Sequence, residues 1–328
     1  MKMNEFGRTG LAVSQLTFGC GAVGGLMTKG DPADQANAIA WARDHGVNFF
    51  DTAAQYGNGA SETNLGRILG GRKDGLVVST KVGLTDEHLK NPGAAIRASL
   101  EASLGRLKLD HVDIFQLHNT LGGPEDDGNV MADRVLNEIV PAFEKLRTEG
   151  KTRFIGFTAK GNTAELHKLV ESDRFDSAQV FYNLLVPSAG EAVPATYPAQ
   201  DYGQLLTACR RHGVGAIGVR LLAGGALSGS ERRHPLGSPN VAPIGSKTDY
   251  ATDVKRALRF QPLVDAGHAA TLPELAIRYA ISNPELPTAE VGIATLEEFQ
   301  KAHAAVEKGP LPATALAEIR TIQQGFAA

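Results

Sequence analysis

The sequence predicts a single-domain α/β protein, a (β/α)8 TIM barrel of eight parallel strands, and three observations lead there. Eight short runs rich in Val, Ile, Leu and Phe recur along the chain, and each is followed by a stretch with helical hydrophobic period. The runs are apolar at consecutive positions, the pattern of strands buried on both faces. Across 328 residues no shift of composition marks a linker between two domains.

Taken in order, Met3–Ser14 carries Arg8-Thr9-Gly10 between apolar residues and reads as a small N-terminal β-hairpin. The expected strands are Gln15–Gly19, Val47–Asp51, Gly75–Lys81, Val112–His118, Arg153–Thr158, Ser177–Tyr182, Val214–Val219 and Ala289–Ile293. Their helices are expected at Ala33–His45, Glu62–Leu69, Gly93–Leu107, Asp133–Glu149, Thr163–Ser172, Tyr202–Arg211, Leu272–Ile281 and Leu296–Val306, with one more near Ala313–Gln324. Asp31-Pro32 supplies an N-cap and first-turn proline for the first of these. Two connections are long: Asn119–Met131, and Leu227–Thr248, which is rich in Gly, Ser and Pro and carries Arg232, Arg233 and Lys247. Barrel enzymes put such insertions at the C-terminal strand ends, so both, with Gly83–Asn91, are expected to shape a pocket.

Composition removes several classes of function. With 33 Lys and Arg against 36 Asp and Glu the net charge is −3, so no basic field exists to hold nucleic acid or an anionic membrane. Two cysteines, Cys20 and Cys209, make neither a disulfide framework nor a zinc site, and no metal is expected. The N-terminal residues lack the apolar core of a signal peptide, and nowhere do eighteen apolar residues run without a charge. A soluble, unprocessed, cytoplasmic protein acting on a small molecule is the expectation.

In a parallel barrel the polar residues that close consecutive strands meet at one mouth. Here the second strand ends at Asp51 with Tyr56-Gly57 in the turn beyond, the third ends at Lys81, and the fourth at His118. A lysine closing an apolar strand needs a partner, and Asp51 on the neighbouring strand is the natural one. An ammonium beside Tyr56 is expected to lower the phenol from its reference value of about 10 and make it a proton donor near neutral pH. His118 is expected to hydrogen-bond the same substrate oxygen, orienting a carbonyl and steadying the charge that grows on it. The bland alternatives are an inter-strand ion pair for Asp51 and Lys81, a packing histidine, and a turn tyrosine.

Phe50-Asp51-Thr52-Ala53 leading to Tyr56-Gly57, then Ser61-Glu62 and Leu65-Gly66, resembles the signature segment of the aldo-keto reductase family. Ser79-Thr80-Lys81 and Gln116-Leu117-His118-Asn119 supply the remaining landmarks, and the likeness runs from Arg8-Thr9-Gly10-Leu11 to Gly309-Pro310-Leu311. The resemblance implies a nicotinamide dinucleotide, NAD(P)H, stretched across the mouth, and no metal. It also implies that Tyr56 is the general acid, that Lys81 and Asp51 tune it, and that His118 orients the carbonyl. For the carboxamide it implies Thr158, followed here by Ala159 where the family has an amide, together with Gln179. Val219 takes the place of the aromatic that stacks on nicotinamide, and Arg220, in Val219-Arg220-Leu221-Leu222, either meets the pyrophosphate or forms an ion pair.

The last strand leads through Gly292, Ile293 and Ala294 into a helix whose N-terminus is a seat for the adenosine phosphate. Family members that prefer NADP carry basic residues at the places of Ile293 and Glu298. Their absence favours NAD(H) over NADP(H), with Glu298 accepting from a ribose hydroxyl. Thr295-Leu296-Glu297-Glu298 is equally a capping box that would turn Glu298 onto its own helix, and Lys301 remains within reach of a phosphate.

Gly19-Cys20-Gly21-Ala22-Val23-Gly24 satisfies the G-x-G-x-x-G fingerprint of doubly wound folds. No helix is expected to open at its glycines, so Gly21 and Ala22 read as a loop bordering the nicotinamide or its pyrophosphate. Two rival functions remain: a lyase using Lys81 as a Schiff-base nucleophile, and a coenzyme-loaded regulatory subunit with little turnover.

Overall fold

The computed structural model describes residues 1–124 and 128–327; residues 125–127, within the expected connection Asn119–Met131, lie outside that description. An antiparallel hairpin of β1 (Met3–Glu5) and β2 (Ala12–Ser14) precedes the barrel. The barrel strands are β3 (Leu16–Gly19), β4 (Phe49–Asp51), β5 (Val77–Val82), β6 (Val112–Leu117), β7 (Thr152–Ala159), β8 (Ser177–Phe181), β9 (Gly215–Val219) and β10 (Thr288–Gly292). Each pairs in parallel with its sequence neighbour, and β10 closes the ring on β3.

Side chains alternate across each strand, which divides the core in two. Phe18, Phe50, Val78, Phe115 and Val291 face outward into the layer between barrel and helices. Phe49, Val77, Ile114 and Ile217 face inward and meet Phe6, Leu11 and Val13 of the hairpin in a separate cluster. The Phe6 ring stands edge-on to Phe49 at 5.8 Å. Arg8 then ties the hairpin down, donating to the Phe175 carbonyl at 2.6 Å and to Asp176 Oδ1 at 3.3 Å. Gly215 leaves room for this plug, since a Cβ there would lie 2.7 Å from the Phe6 ring. The N-terminal end of the barrel is therefore stoppered, and the opposite end is free for chemistry.

Helix starts follow local rules. Asp31 accepts from Ala33 N–H at 2.7 Å with Pro32 in the first turn, and Asn162 and Thr271 cap their helices in the same way. The uninterrupted helix expected over Asp133–Glu149 is a correction. The chain forms a short turn at Ala132–Arg134, a π segment at Val135–Ile139, and an α-helix at Val140–Thr148. Pro141 has no N–H, and its ring would strike the carbonyl four residues back, so the backbone widens there by one residue. The helix expected from Tyr202 begins only at Leu205, and Tyr202 is buried instead. Beyond the long connection two unexpected helices occur, Tyr250–Leu258, capped by Asp249, and Gln261–Asp265. Among the described residues no helix is long and apolar enough to cross a membrane.

Phe6→Ala removes the aromatic stopper from a fully buried site, and a loss of about 3 kcal/mol in unfolding free energy is expected. Urea denaturation measures it; an unchanged midpoint would show that the hairpin carries no part of the barrel's stability.

Candidate active site

The inward positions of the strands place the candidate residues in layers toward the C-terminal mouth. Lys81, next to last in β5, is fully buried. Its Nζ donates to the Asp51 carboxylate, to the Thr52 carbonyl at 2.7 Å and to the Tyr56 hydroxyl at 3.1 Å, which uses all three ammonium protons. Asp51 also accepts from the Ser79 hydroxyl at 2.5 Å and from Gln116 Nε2 at 3.3 Å. The structure thus brings Asp51, Tyr56 and Lys81 together as the sequence expects.

The turn that carries Tyr56 is pinned by the residues after it. Ser61 Oγ lies 2.7 Å from Thr52 Oγ1 and donates to the Cys20 carbonyl at 2.9 Å. Buried Glu62 accepts from Thr80 at 2.5 Å and from Arg106 at 2.7 Å. Gly66 lets the helix Ala60–Leu69 lie against the helix Pro92–Leu107, because a Cβ there would come 2.3 Å from the Arg106 carbonyl. The motif residues beyond Tyr56 are therefore fastenings that hold its hydroxyl over Lys81.

Tyr56 differs from expectation in one respect. Its pKa is pushed up to about 12, because burial, assisted by the negative charges of Asp51 and Glu290, outweighs the pull of Lys81. The residue is a phenol throughout the physiological range. Burial works against the charge of Lys81 as well, yet Asp51, Tyr56 and Glu290 hold its pKa above the ordinary lysine value.

His118 sits half-buried at the mouth, its ring edge-on to Tyr56 at 6.3 Å between centroids. Burial, then the cations Lys81, Lys160 and Arg220, push its pKa down to about 2, so the imidazole is neutral. Its Nδ1 lies 2.7 Å from Thr158 Oγ1. Thr158 donates onward to Gln179 Oε1 at 3.0 Å, and Gln179 Nε2 donates to Glu290 Oε2 at 2.9 Å. The two expected carboxamide residues are thus joined to His118 on one side and, on the other, to an acid absent from the sequence reading.

Around the rim, Gly21 borders Tyr56, with a Cβ position 3.7 Å from its ring, and the Ala22 carbonyl accepts from Ser238 at 2.9 Å. Val219 pairs in register with Phe181, so the ring missing at 219 stands one strand away, half-buried on β8. Arg220 adopts a left-handed backbone (φ +59°), and its Nη1 is buried with no partner. Lys160, half-buried and also missing from the sequence reading, has its pKa lowered by burial and by Arg220. Leu222 follows in the same turn, partly exposed.

At the other side of the mouth the Ile293 side chain is turned into the core and its carbonyl accepts from Leu26 N–H at 3.1 Å, while Gly292 is exposed. Glu298 accepts from Ala294 N–H at 2.7 Å and its own N–H meets Thr295 Oγ1 at 3.3 Å, the capping arrangement. Lys301 is held by Glu297 at 2.7 Å. The glycine fingerprint opens no dinucleotide helix: one turn at Leu26–Lys29 follows it, and Gly24 packs on the Ile293 backbone. An open cavity of about 550 Å³ lined by Arg43, Asp44, Asn48 and Asp74 lies at the N-terminal strand ends and contains none of these groups.

A profile of the Aldo/keto reductase family matches residues 15–324. Among curated proteins, an L-galactose dehydrogenase of Arabidopsis thaliana is 31% identical over 93% of this chain and 88% of its own length. A probable voltage-gated potassium channel subunit beta of the same plant is 28% identical over 95% and 93%. Among solved structures, an aldo-keto reductase from Bacillus halodurans in its holo form superposes with a TM-score of 0.73 at 24% identity, covering 98% of this chain and 96% of that one.

Subtracting the alkaline absorbance titration of Tyr56→Phe from that of the parent isolates the Tyr56 phenolate. Its midpoint is expected near pH 12; a midpoint below 10 would mean that Lys81 outweighs burial.

Proposed function

The chain belongs to the aldo/keto reductase family, and from that premise we propose that it moves a hydride between NAD(P)(H) and the carbon of a carbonyl or alcohol, with Tyr56 as general acid and base. The observation that carries this reading is the three-way coordination of Lys81 by Asp51, the Thr52 carbonyl and the Tyr56 hydroxyl. A bound nicotinamide coenzyme supplies or takes the hydride. In reduction, the proton lost by Tyr56 leaves charge on an oxygen that already accepts from Lys81. In oxidation the phenolate, stabilised by the same ammonium, receives the proton. His118 hydrogen-bonds the same substrate oxygen.

The rim fits an extended dinucleotide. Arg220 Nη1 is a buried donor without a partner, and neither Arg220 nor Lys160 forms an ion pair among the described residues, so both suit the pyrophosphate. Thr158 and Gln179 suit the carboxamide, Gly21, Ala22, Val219 and Leu222 border the ring and its linkage, and Gly292, Ile293 and Ala294 lead into the helix for the adenosine end. We hold NAD(H) to be favoured over NADP(H): Ile293 offers no charge, Glu298 is acidic, and Lys301 is engaged by Glu297. The substrate class is an aldehyde, ketone, alcohol or sugar, in line with the dehydrogenase among its relatives.

The Schiff-base alternative has no support, since an ammonium whose protons are all engaged and whose pKa is raised offers no lone pair to a carbonyl. The regulatory-subunit alternative has the likeness to the channel subunit in its favour. Retention of Asp51, Tyr56, Lys81 and His118 in one site favours turnover.

Tyr56→Phe is expected to lower kcat at least ~100-fold while leaving NADH affinity nearly unchanged, because it removes a proton donor and no dinucleotide contact. Steady-state turnover with sugars and aldehydes, beside a fluorescence titration with NADH, checks both halves. Near-normal turnover in the variant would reject the role, and a single cycle per coenzyme in the parent would favour the regulatory subunit. Glu298→Arg is expected to raise NADPH affinity relative to NADH about tenfold. An unchanged ratio in the same titration would place the ribose away from this helix.

A further inference from the structure

Lys81 and Gln116 stand side by side in register on β5 and β6, and both turn into the barrel toward Asp51 on β4. A carboxylate paired with an ammonium offers only lone pairs, so the amide NH2 of Gln116 faces Asp51 Oδ1, at 3.3 Å, and its oxygen faces away. That oxygen, Oε1, is buried and has no partner among the described residues. Turning the amide over would set it against the carboxylate instead.

A second orphan lies in the same row. Gln116 is in register with Gly156 on β7, Gly156 with Ser177 on β8, and Ser177 with Gly215 on β9. Gln116 and Ser177 are both fully buried, and the Ser177 hydroxyl also lacks a partner among the described residues. The two flank Gly156, where a Cβ would come 2.2 Å from Ser177 Oγ and 3.1 Å from Gln116 Cγ. The missing side chain is what admits two polar groups to this row. At Gly215, the other glycine of the row, the space goes to the Phe6 ring, so the hairpin closes the row toward the N-terminal end of the barrel.

The chemistry of the two atoms decides what satisfies them. Gln116 Oε1 only accepts, whereas a serine hydroxyl gives one proton and accepts others. An anion has no proton for the amide oxygen, and a cation would meet Lys81 on the neighbouring strand. A water molecule donates to Oε1 and bonds Ser177 in either sense, and internal waters sit where buried polar groups are otherwise unmatched.

We propose that one internal water sits between Gln116 and Ser177 beside Gly156, and that Gln116, oriented by it, is a positioning residue for Asp51. With its oxygen held by the water, the amide keeps its NH2 on Asp51 Oδ1 and leaves Oδ2 to Lys81. Ser177, whose hydroxyl bonds none of the described residues, then acts on Lys81 and Tyr56 through the water, the amide and the carboxylate. The positioning half rests on the hydride-transfer reading.

Both halves are tested on the full-length protein. A crystal structure at a resolution that shows ordered water is expected to place one water oxygen within hydrogen-bond distance of Gln116 Oε1 and Ser177 Oγ. A direct hydrogen bond between these residues, or a dry gap, overturns the site. In solution, oxygen-17 relaxation dispersion counts long-lived internal waters, and Ser177→Val, whose methyl groups take the seat, is expected to lose one. An unchanged count overturns the site as well. If the valine variant does not fold, Gln116→Leu removes the acceptor and is expected to lose the same water. Neither measurement needs turnover, so failure of the site and failure of hydride transfer are read separately. For the positioning role, Gln116→Leu is expected to lower kcat about tenfold with NADH affinity unchanged, and Ser177→Val to lower it about threefold in the parent and not at all beside Gln116→Leu. Additive losses in the double variant would show that Ser177 does not act through Gln116, and overturn the positioning role.

Discussion

The site depends on one buried ammonium. Taking a primary amine out of water as a cation costs several kcal/mol unless its three protons find acceptors, and the barrel supplies them from a strand end, a backbone carbonyl and a phenol. None of the three is free to move. Asp51 is held by Ser79 and Gln116, Thr52 by Ser61, and Tyr56 by a turn that Ser61 and Glu62 fasten to the neighbouring strands. Removing Lys81 would leave a buried carboxylate and a partly buried phenol without a counter-charge between them. The constraint explains why so many polar side chains occupy an interior that the hairpin has sealed at its other end with Phe6, Leu11 and Val13.

The barrel was legible because parallel strands buried on both faces leave unbroken apolar runs, and all eight runs became strands with boundaries shifted by a residue or two. Asp51, Tyr56, Lys81 and His118 were legible because each closes, or follows, one of those runs. What escaped notice had weaker local signals. Pro141 widened a helix that periodicity alone draws as continuous. The helix Tyr250–Leu258 lies beyond a Gly- and Ser-rich connection that reads as loop, although Asp249 ahead of it is a recognisable cap. Tyr56 ionises higher than its neighbours in sequence suggest because an ammonium is visible from pairing and desolvation is not. Glu290 is the instructive omission. An acid two residues before Gly292 has the parity of the barrel interior, and that parity was the signal that could have found it.

Charge balance joins these observations. The floor of the mouth sets Asp51 and Glu290 against Lys81, and burial, then Asp51, raises the pKa of Glu290 well above the usual range. At the rim burial lowers the pKa of both Lys160 and Arg220, Arg220 adds to the effect on Lys160, and neither cation forms an ion pair among the described residues. The empty counter-charge lies at the rim, away from the reacting groups. On the proposed reading a dianionic linker supplies it and satisfies the buried Nη1 of Arg220. Arg220 holds a left-handed backbone, strained for a side chain of that size, and its Nη1 is buried. On that proposed reading coenzyme affinity and proton chemistry rest on separate charges, Arg220 for binding and Lys81 for the substrate oxygen.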